Sequence, residues 1–170
     1  MERTITIKGN PFTLIGNPVK VGDVAPDAEL TANNWSSAKL SDYAGKPRLL
    51  NVVYSLDTGI CDTQTHKFNE EATKLGKDVV VLTISADLPF AQKRWCGASG
   101  LENVITLSDH QALTFADAYG VHVKERRTTG RAVFVVDKAG VVRYVEYVPE
   151  ISSHPNYDAA LQALQQVAGK

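Results

Sequence analysis

The sequence predicts an α/β protein with a central mixed β-sheet flanked by helices and an N-terminal β-hairpin. Apolar runs rich in β-branched residues, typical of strands buried on both faces, alternate with segments of helical periodicity. An alternating segment with a Gly-Asn-Pro break stands at the start of the chain, and two strand-like runs around a Lys-Ala-Gly turn come near its end. At 170 residues, we expect a single domain spanning residues 1–170.

The first half of the chain supplies the hairpin and the first buried strand. RTITIKG and NPFTLIGN predict the two hairpin strands, and short strands and loops follow. PRLLNVVYS is an almost unbroken apolar run and predicts a buried strand. CDTQTHKFNEEATKLGK comes shortly after it and predicts a helix with Gly76 as its C-cap. Its apolar positions have helical spacing: Phe68, Ala72 and Leu75.

The second half continues the alternation. DVVVLTISAD predicts a second buried strand, and LPFAQKRWCGASG a short helix with Pro89 in its first turn that ends at Gly97. NVITLSD predicts a short strand, and HQALTFADAYG a helix ended by Gly120. RAVFVVDKAGVVRYVEYV predicts the closing hairpin. PNYDAALQALQQVAG predicts an amphipathic terminal helix with a single apolar stripe: Ala160, Leu161, Leu164 and Val167.

Composition and charge exclude several classes of function. Hydrophobic residues make up 44% and charged residues 22% of the chain, and the formal net charge is −1. The chain therefore has no excess of positive charge of the kind that binds nucleic acid or an anionic membrane. We interpret the basic cluster from Lys124 to Arg127 as a solvated loop. The N-terminus lacks the apolar core of a signal peptide, and no run reaches the length of a membrane span, so we expect a cytoplasmic protein.

Cys61 stands where a predicted buried strand gives way to a helix. Backbone N–H groups point outward from the first turn of a helix, and the helix dipole there favours negative charge. A thiol in this position is shifted toward the reactive thiolate. The hydroxyl of Thr58, three residues earlier, is placed to bond the sulfur or an oxygen attached to it. Most free cysteines are small buried hydrophobes, however, and the residues alone leave both interpretations open.

Cys96 is the second of the two cysteines and ends a different predicted helix. The spacing excludes a Cys-x-x-Cys redox pair, since Thr58 and Gln64 occupy the positions three residues from Cys61. A disulfide between the cysteines requires Cα atoms within about 7 Å, which implies a change of shape in the intervening chain. A packed residue beside Trp95 is the other interpretation of Cys96.

The chain resembles the bacterial thiol peroxidases, atypical two-cysteine peroxiredoxins with a thioredoxin-like fold. The resemblance runs from end to end. It rests on the N-terminal hairpin and on five motifs in order: SLDTGICDTQTHKFNEEA, RWCGASGLENVITLSD, FADAYGV, GRAVFVVD and EISSHPNYDAALQAL.

The resemblance implies a role for four residues. Cys61 matches the peroxidatic cysteine, whose thiolate attacks the peroxide and becomes a sulfenic acid. Thr58 matches the threonine that hydrogen-bonds sulfur and peroxide, and Arg131 matches the arginine that stabilises the thiolate and orients the peroxide oxygens. Without the resemblance, Arg131 would be interpreted as a strand-end arginine paired with a surface carboxylate. Cys96 matches the resolving cysteine, which forms a disulfide with Cys61.

The resemblance also implies the partners of the protein. Hydrogen peroxide and organic hydroperoxides are the implied substrates, thioredoxin is the implied reductant, and the implied assembly is a homodimer. No metal or organic cofactor is implied. The four histidines are scattered without metal-ligand spacing. Asp57 and Asp62 flank Cys61, and we expect their side chains to point away from the thiolate.

One position departs from the family motif. The family has Pro-x-x-x-Thr-x-x-Cys, whereas this chain has Tyr54 at the first position. In the family the proline covers the peroxidatic cysteine and fixes the loop. Tyrosine frees φ, restores a backbone donor and adds a large ring. We predict lowered but not abolished peroxidase activity, and the alternative is a catalytically weakened scaffold or peroxide sensor.

Overall fold

A seven-stranded mixed sheet forms the centre of the computed structural model, which describes residues 3–101 and 104–169. Its strand order is β11-β10-β5-β6-β7-β3-β4. The three central strands β5, β6 and β7 are parallel to one another, and the outer pairs are antiparallel. The seven strands are β3 (Glu29–Thr31), β4 (Ser37–Lys39), β5 (Arg48–Val52), β6 (Val80–Ser85), β7 (Ile105–Ser108), β10 (Ala132–Val136) and β11 (Val142–Tyr147).

A smaller four-stranded sheet joins the N-terminal hairpin to a second hairpin, in the order β1-β2-β8-β9. Its strands are β1 (Arg3–Ile7), β2 (Asn10–Ile15), β8 (His122–Val123) and β9 (Thr128–Thr129). The carboxylate of Glu150 fastens the first hairpin to the C-terminal part of the chain, because it accepts hydrogen bonds from the Thr6 hydroxyl and the Gly9 N–H.

Helices cover both faces of the central sheet. They are α1 (Gly59–Thr73), α2 (Pro89–Ala98), α3 (Thr114–Tyr119) and α4 (Tyr157–Ala168), with a 3₁₀ turn at Leu40–Tyr43. Side chains alternate across β5, so Leu49 packs with Phe68 of α1 and Leu164 of α4, whereas Leu50 belongs to the opposite core with Phe115 of α3. Parallel strands buried on both faces explain the unbroken apolar runs in the sequence.

The sequence predictions of the N-terminal hairpin, the buried strands, the closing hairpin and the stripe of α4 are confirmed. Several boundaries were wrong. Helix α1 begins at Gly59 and ends at Thr73, so Gly76 lies beyond its C-cap Lys74. Helix α2 ends at Ala98 rather than Gly97. The predicted start of β7, Asn103, lies outside the described residues.

The helix predicted over residues 110–120 is only six residues long. Leu113 has a left-handed backbone with φ of 53°, and the helix therefore cannot begin before Thr114. Gly120 ends it in the left-handed conformation, as predicted. The side chain of Asp109 accepts hydrogen bonds from the N–H groups of Phe115 and Ala116 and so supports the start of this short helix.

Candidate active site

Cys61 lies in the first turn of α1, directly beyond the carboxyl end of β5, and its side chain is fully buried. It packs with Val53, Leu56 and Trp95 in a small apolar cluster. The backbone N–H of Ser55 donates a hydrogen bond of 3.5 Å to its sulfur. The sulfur therefore has an N–H donor and a helix N-terminus beside it.

Thr58 is the N-cap residue of α1, yet its hydroxyl does not cap the helix. The hydroxyl donates instead to the carbonyl of Ser55 over 2.8 Å, and the N–H of Thr58 donates to the same carbonyl over 3.1 Å. Once its proton is used in this way, the oxygen of Thr58 still has lone pairs that accept a hydrogen bond. The structure thus leaves Thr58 as an acceptor for a hydroxyl group of a bound molecule.

Arg131 directly precedes β10 and is only 3% exposed. Its Nε donates to the carbonyl of Ile151 over 2.8 Å, and one terminal nitrogen donates to Oε1 of Gln64 over 2.7 Å. The interpretation as a surface arginine is therefore wrong, since the guanidinium is buried and bonds neutral oxygens. Such a guanidinium keeps further N–H donors for an anion.

Thr58 and Arg131 line one cavity of about 270 Å³. The remaining wall is largely apolar and includes Ile7, Ile60 and Ile151. Burial raises the pKa of Tyr157, while Arg131 lowers it and Cys61 raises it further, so the phenol lies within the electrostatic reach of both groups. Thr58 and Arg131 are distant in sequence, yet both line this cavity, which lies beside the helix turn that carries Cys61.

Tyr54 also lines this cavity and contacts the apolar cluster around Cys61. Its hydroxyl accepts a hydrogen bond of 3.1 Å from Arg126, whose guanidinium lies 4.8 Å from the centre of the Phe12 ring. The ring is thus held at the cavity wall, between the Cys61 cluster and the apolar core of the small sheet. Arg126 belongs to the predicted solvated loop, which is exposed.

Cys96 lies in the last turn of α2 and is a free, half-buried thiol, as Cys61 is a free, buried one. Its sulfur lies 3.4 Å from the hydroxyl of Thr106 and accepts a hydrogen bond of 3.8 Å from the side chain of Asn33. Cys96 packs against the same apolar cluster that contains Cys61. The two cysteines therefore share one cluster in the reduced protein.

The acidic neighbours of Cys61 point away from it, as expected. Asp57 is exposed and forms an ion pair of 2.9 Å with Arg94 of α2. Asp62 accepts a hydrogen bond of 2.6 Å from the indole N–H of Trp95. Both carboxylates thereby connect the Cys61 segment to α2. Within residues 3–101 and 104–169, there is no cluster of three side chains suited to hold a metal ion.

Two residues near the site were not predicted from the sequence. Gln64, fully buried on α1, joins Arg131 to Asn51, since its Nε2 donates to Asn51 Oδ1 over 2.6 Å. Asp87, just after β6, accepts hydrogen bonds from the hydroxyl of Ser55 and the N–H of Leu56. The only sequence signals were a polar residue one turn after Cys61 and an acidic residue just before a helix start.

Known proteins resemble this chain over nearly its whole length. The redoxin family model matches residues 20–161. Proteins named thiol peroxidase are 55% identical in Bacillus subtilis, over 94% of this chain and 95% of the relative, and 56% identical in Listeria monocytogenes serotype 4b, over 95% and 98%. The chain belongs to the redoxin family, among its thiol peroxidases. The family prediction and the expectation of a peroxiredoxin-type oxidoreductase are thereby confirmed.

Solved structures support the thioredoxin-like fold of this thiol peroxidase. A peroxiredoxin-like protein from Aquifex aeolicus has a TM-score of 0.89 at 39% identity, with 97% of each chain covered. A thiol peroxidase from Chromobacterium violaceum has a TM-score of 0.86 at 23% identity and 98% coverage of both chains, and shows the shared fold. In the part of the chain that the structure describes, each helix is too short or too polar to cross a membrane.

Proposed function

We propose that this thiol peroxidase reduces hydrogen peroxide and organic hydroperoxides through the thiolate of Cys61. The observation that carries the proposal is the convergence of Thr58 and Arg131 on one cavity, beside the helix turn that holds Cys61. A cation and a hydroxyl acceptor are the two groups that a peroxide needs next to an attacking thiolate. The apolar remainder of the cavity suits an alkyl or aryl substituent on the peroxide.

In the first step the sulfur of Cys61 attacks one oxygen of the peroxide and the O–O bond breaks. The sulfur becomes a sulfenic acid, and the other oxygen leaves with the bonding electron pair and takes up a proton, giving an alcohol or water. The free N–H donors of Arg131 stabilise the negative charge that moves from the sulfur to the leaving oxygen. Thr58 accepts the hydrogen bond of the peroxide hydroxyl and so orients the O–O bond.

In the second step Cys96 attacks the sulfur of the Cys61 sulfenic acid, an S–S bond forms and water leaves. The shared apolar cluster supports this pairing, because the two thiols already pack in one region. Formation of the disulfide consumes the sulfenic acid before a second peroxide can oxidise it to the irreversible sulfinic acid. The end of α2 must change shape during this step, since Cys96 now faces Thr106 and Asn33.

The disulfide is then reduced by an external dithiol, for which we propose thioredoxin. Two electrons and two protons pass from the dithiol to the disulfide and restore both thiols. A cytoplasmic location fits this cycle, because a reducing compartment keeps thioredoxin reduced. We further propose that residues 1–170 act as one domain and that the enzyme assembles as a homodimer, as the family resemblance implies.

Rapid mixing with cumene hydroperoxide tests the cycle. The fluorescence of Trp95 reports on the cycle, because its indole N–H donates a hydrogen bond to Asp62, next to Cys61, and because Trp95 directly precedes Cys96 in the sequence. The variant Trp35→Phe removes the signal of the other tryptophan. We expect a fast fluorescence phase that Cys61→Ser abolishes, and a Cys61–Cys96 disulfide as its product. Cys96→Ser should stop at a sulfenic acid that a dimedone probe captures.

Other outcomes would contradict the proposal in separable ways. Oxidation of Cys61 no faster than that of free cysteine would favour the catalytically weakened scaffold. A fast phase that persists in Cys61→Ser would exclude Cys61 as the attacking thiol. Dimedone labelling of Cys96 in place of Cys61 would reverse the roles of the two cysteines.

A further inference from the structure

A half-buried carboxylate outside the predicted site fastens the Cys61 segment to the sheet. Asp87 lies between β6 and α2. Its carboxylate accepts three hydrogen bonds: 2.7 Å from the Ser55 hydroxyl, 2.9 Å from the Leu56 N–H and 2.7 Å from the Ser85 hydroxyl. Hydrogen bonds to an ionised acceptor are roughly twice as strong as those between neutral groups. Asp87 is therefore a strong attachment point for the turn before α1.

The turn held by Asp87 is the one that contacts the reactive groups. The N–H of Ser55 donates to the sulfur of Cys61, and the carbonyl of Ser55 accepts from the hydroxyl of Thr58. The hydroxyl of Ser55, which donates to Asp87, also accepts from the N–H of Asp57. The orientation of the Ser55 peptide groups, and with it the polar contacts of Cys61 and Thr58, thus depends on the carboxylate.

The other contacts of Asp87 lead to the helix that carries Cys96. The hydroxyl of Ser85, a donor to Asp87, accepts from the side chain of Gln92, which is fully buried in α2. The hydroxyl of Ser108 on β7 donates to the backbone carbonyl of Asp87. Asp87 consequently connects the Cys61 turn with the base of α2, two residues before that helix begins.

We infer that Asp87 is a positioning residue of the thiol peroxidase reaction. It holds the Ser55 turn in the form in which Cys61 reacts with peroxide, and the same bonds oppose the release of this turn when Cys61 moves toward Cys96. The inference rests on the proposed role of Cys61. It predicts opposite effects on the two chemical steps, because loss of the bonds weakens the reactive arrangement and eases the rearrangement that follows.

Steady-state peroxide reduction with excess thioredoxin or dithiothreitol separates the two steps. The ratio kcat/KM for cumene hydroperoxide reports the attack by Cys61, and kcat reports the later steps. Asp87→Asn replaces one acceptor oxygen by an NH₂ group that cannot accept from Leu56 or a serine. We expect kcat/KM to fall about tenfold while kcat is unchanged or higher, the size expected for one lost charge-assisted hydrogen bond.

Ser55→Ala provides a milder second variant, which removes a single hydroxyl and leaves the carboxylate in place. We expect it to lower kcat/KM about threefold, in keeping with one ordinary hydrogen bond. Because the two side chains act through one bond, the double variant should be no more than slightly slower than Asp87→Asn alone. Effects that multiply fully would mean that Asp87 does not act through Ser55, and would overturn the inference.

Asp57→Asn is the matched control. Asp57 also links the Cys61 turn to α2, through Arg94, but both side chains are exposed and such pairs contribute little. Its kinetic constants should equal those of the wild type. Unchanged kcat/KM in Asp87→Asn, or an equal fall in kcat and kcat/KM, would overturn the inference. A wild-type enzyme inert toward peroxide would instead overturn the proposed function, and Ser55→Ala decides the case if Asp87→Asn does not fold.

Discussion

The side-chain oxygen of Gln64 accepts a hydrogen bond of 2.7 Å from the guanidinium of Arg131, and both residues are buried. Because the Gln64 amide is neutral, it accepts a hydrogen bond from the Arg131 N–H without neutralising the positive charge of the guanidinium. The Nε2 of Gln64 bonds Asn51, whose own amide donates to Thr65 and Thr83. This chain of bonds fixes the amide with its oxygen toward Arg131 and leaves the charge of the guanidinium to the cavity.

Gln64→Glu should slow the reaction with peroxide by about tenfold or more, which corresponds to about 1.4 kcal/mol in the barrier. A carboxylate beside Arg131 neutralises the charge that, in the proposed mechanism, stabilises the thiolate and the leaving oxygen. The rate of the first fluorescence phase measures the effect. Gln162→Glu adds the same charge at an exposed position of α4 and should leave the rate unchanged. Equal rates for both variants would show that the charge of Arg131 is not needed.

Tyr54→Pro should accelerate the attack on peroxide several-fold. The tyrosine ring narrows the cavity next to a sulfur with no accessible surface, and proline removes the ring and restricts φ of the loop. The second-order rate constant with hydrogen peroxide and with cumene hydroperoxide measures the effect. Tyr54→Phe, which loses only the contact with Arg126, separates the ring from its hydroxyl. A rate for Tyr54→Pro no higher than that of the wild type would show that this position does not limit the activity.

Gly97→Ala should slow disulfide formation without affecting the attack on peroxide. Gly97 lies in the last turn of α2, and a Cβ there meets open space, so alanine should stabilise this turn by up to about 1 kcal/mol. If the turn unwinds to bring Cys96 to Cys61, the second kinetic phase slows by about fivefold. Ala98→Gly should have the opposite effect. Insensitivity of the second phase to both substitutions would mean that α2 stays folded as the disulfide forms.

Asp109 should make the stability of the protein fall as the pH rises from about 4 to about 6. Burial raises the pKa of this carboxyl from 3.8 to about 6, although the N–H groups of Ala116 and Phe115 oppose the shift. The folded state therefore binds the proton more tightly than the unfolded state does, and its advantage is lost as the pH passes the folded pKa. Such a shift corresponds to about 3 kcal/mol at most.

Urea unfolding of the wild type and of Asp109→Asn between pH 4 and pH 7 measures this contribution. The difference in unfolding free energy between the two proteins should change across this range and become constant above about pH 6.5. Asp57→Asn, which removes an exposed carboxylate, serves as the control variant. Parallel curves for the wild type and Asp109→Asn would contradict the raised pKa of Asp109.

The sequence predicted the parts of the fold that local patterns determine. The unbroken apolar run predicted β5, which is buried on both faces, and the apolar stripe predicted α4, which is buried on one face. Both predictions were confirmed. The two-residue strands β8 and β9 were not predicted, because β8 is held by its pairing with β2, and β9 by its pairing with β8, rather than by their own composition. The late start of α3 was not predicted either, because it depends on the left-handed backbone of Leu113.

The more a site residue depends on contacts with distant residues, the less the sequence alone predicted its role. The place of Cys61 at a strand-to-helix junction was readable from the sequence, whereas Arg131 required the family resemblance. Gln64 and Asp87 were missed because their significance lies in bonds to residues 67 and 32 positions away. A buried polar residue looks like any surface polar residue in the sequence until the tertiary fold brings its partner to it.

The cavity wall combines Ile7, near the beginning of the chain, with Ile151, close to its end. The carbonyl of Ile151 also holds Nε of Arg131. A nascent chain that is still on the ribosome therefore carries Cys61 long before it can assemble the surroundings of that thiol. We therefore expect reactivity toward peroxide only once residues up to Ile151 have been synthesised and have folded around Cys61, so this reactivity can serve as a chemical readout of that folding step.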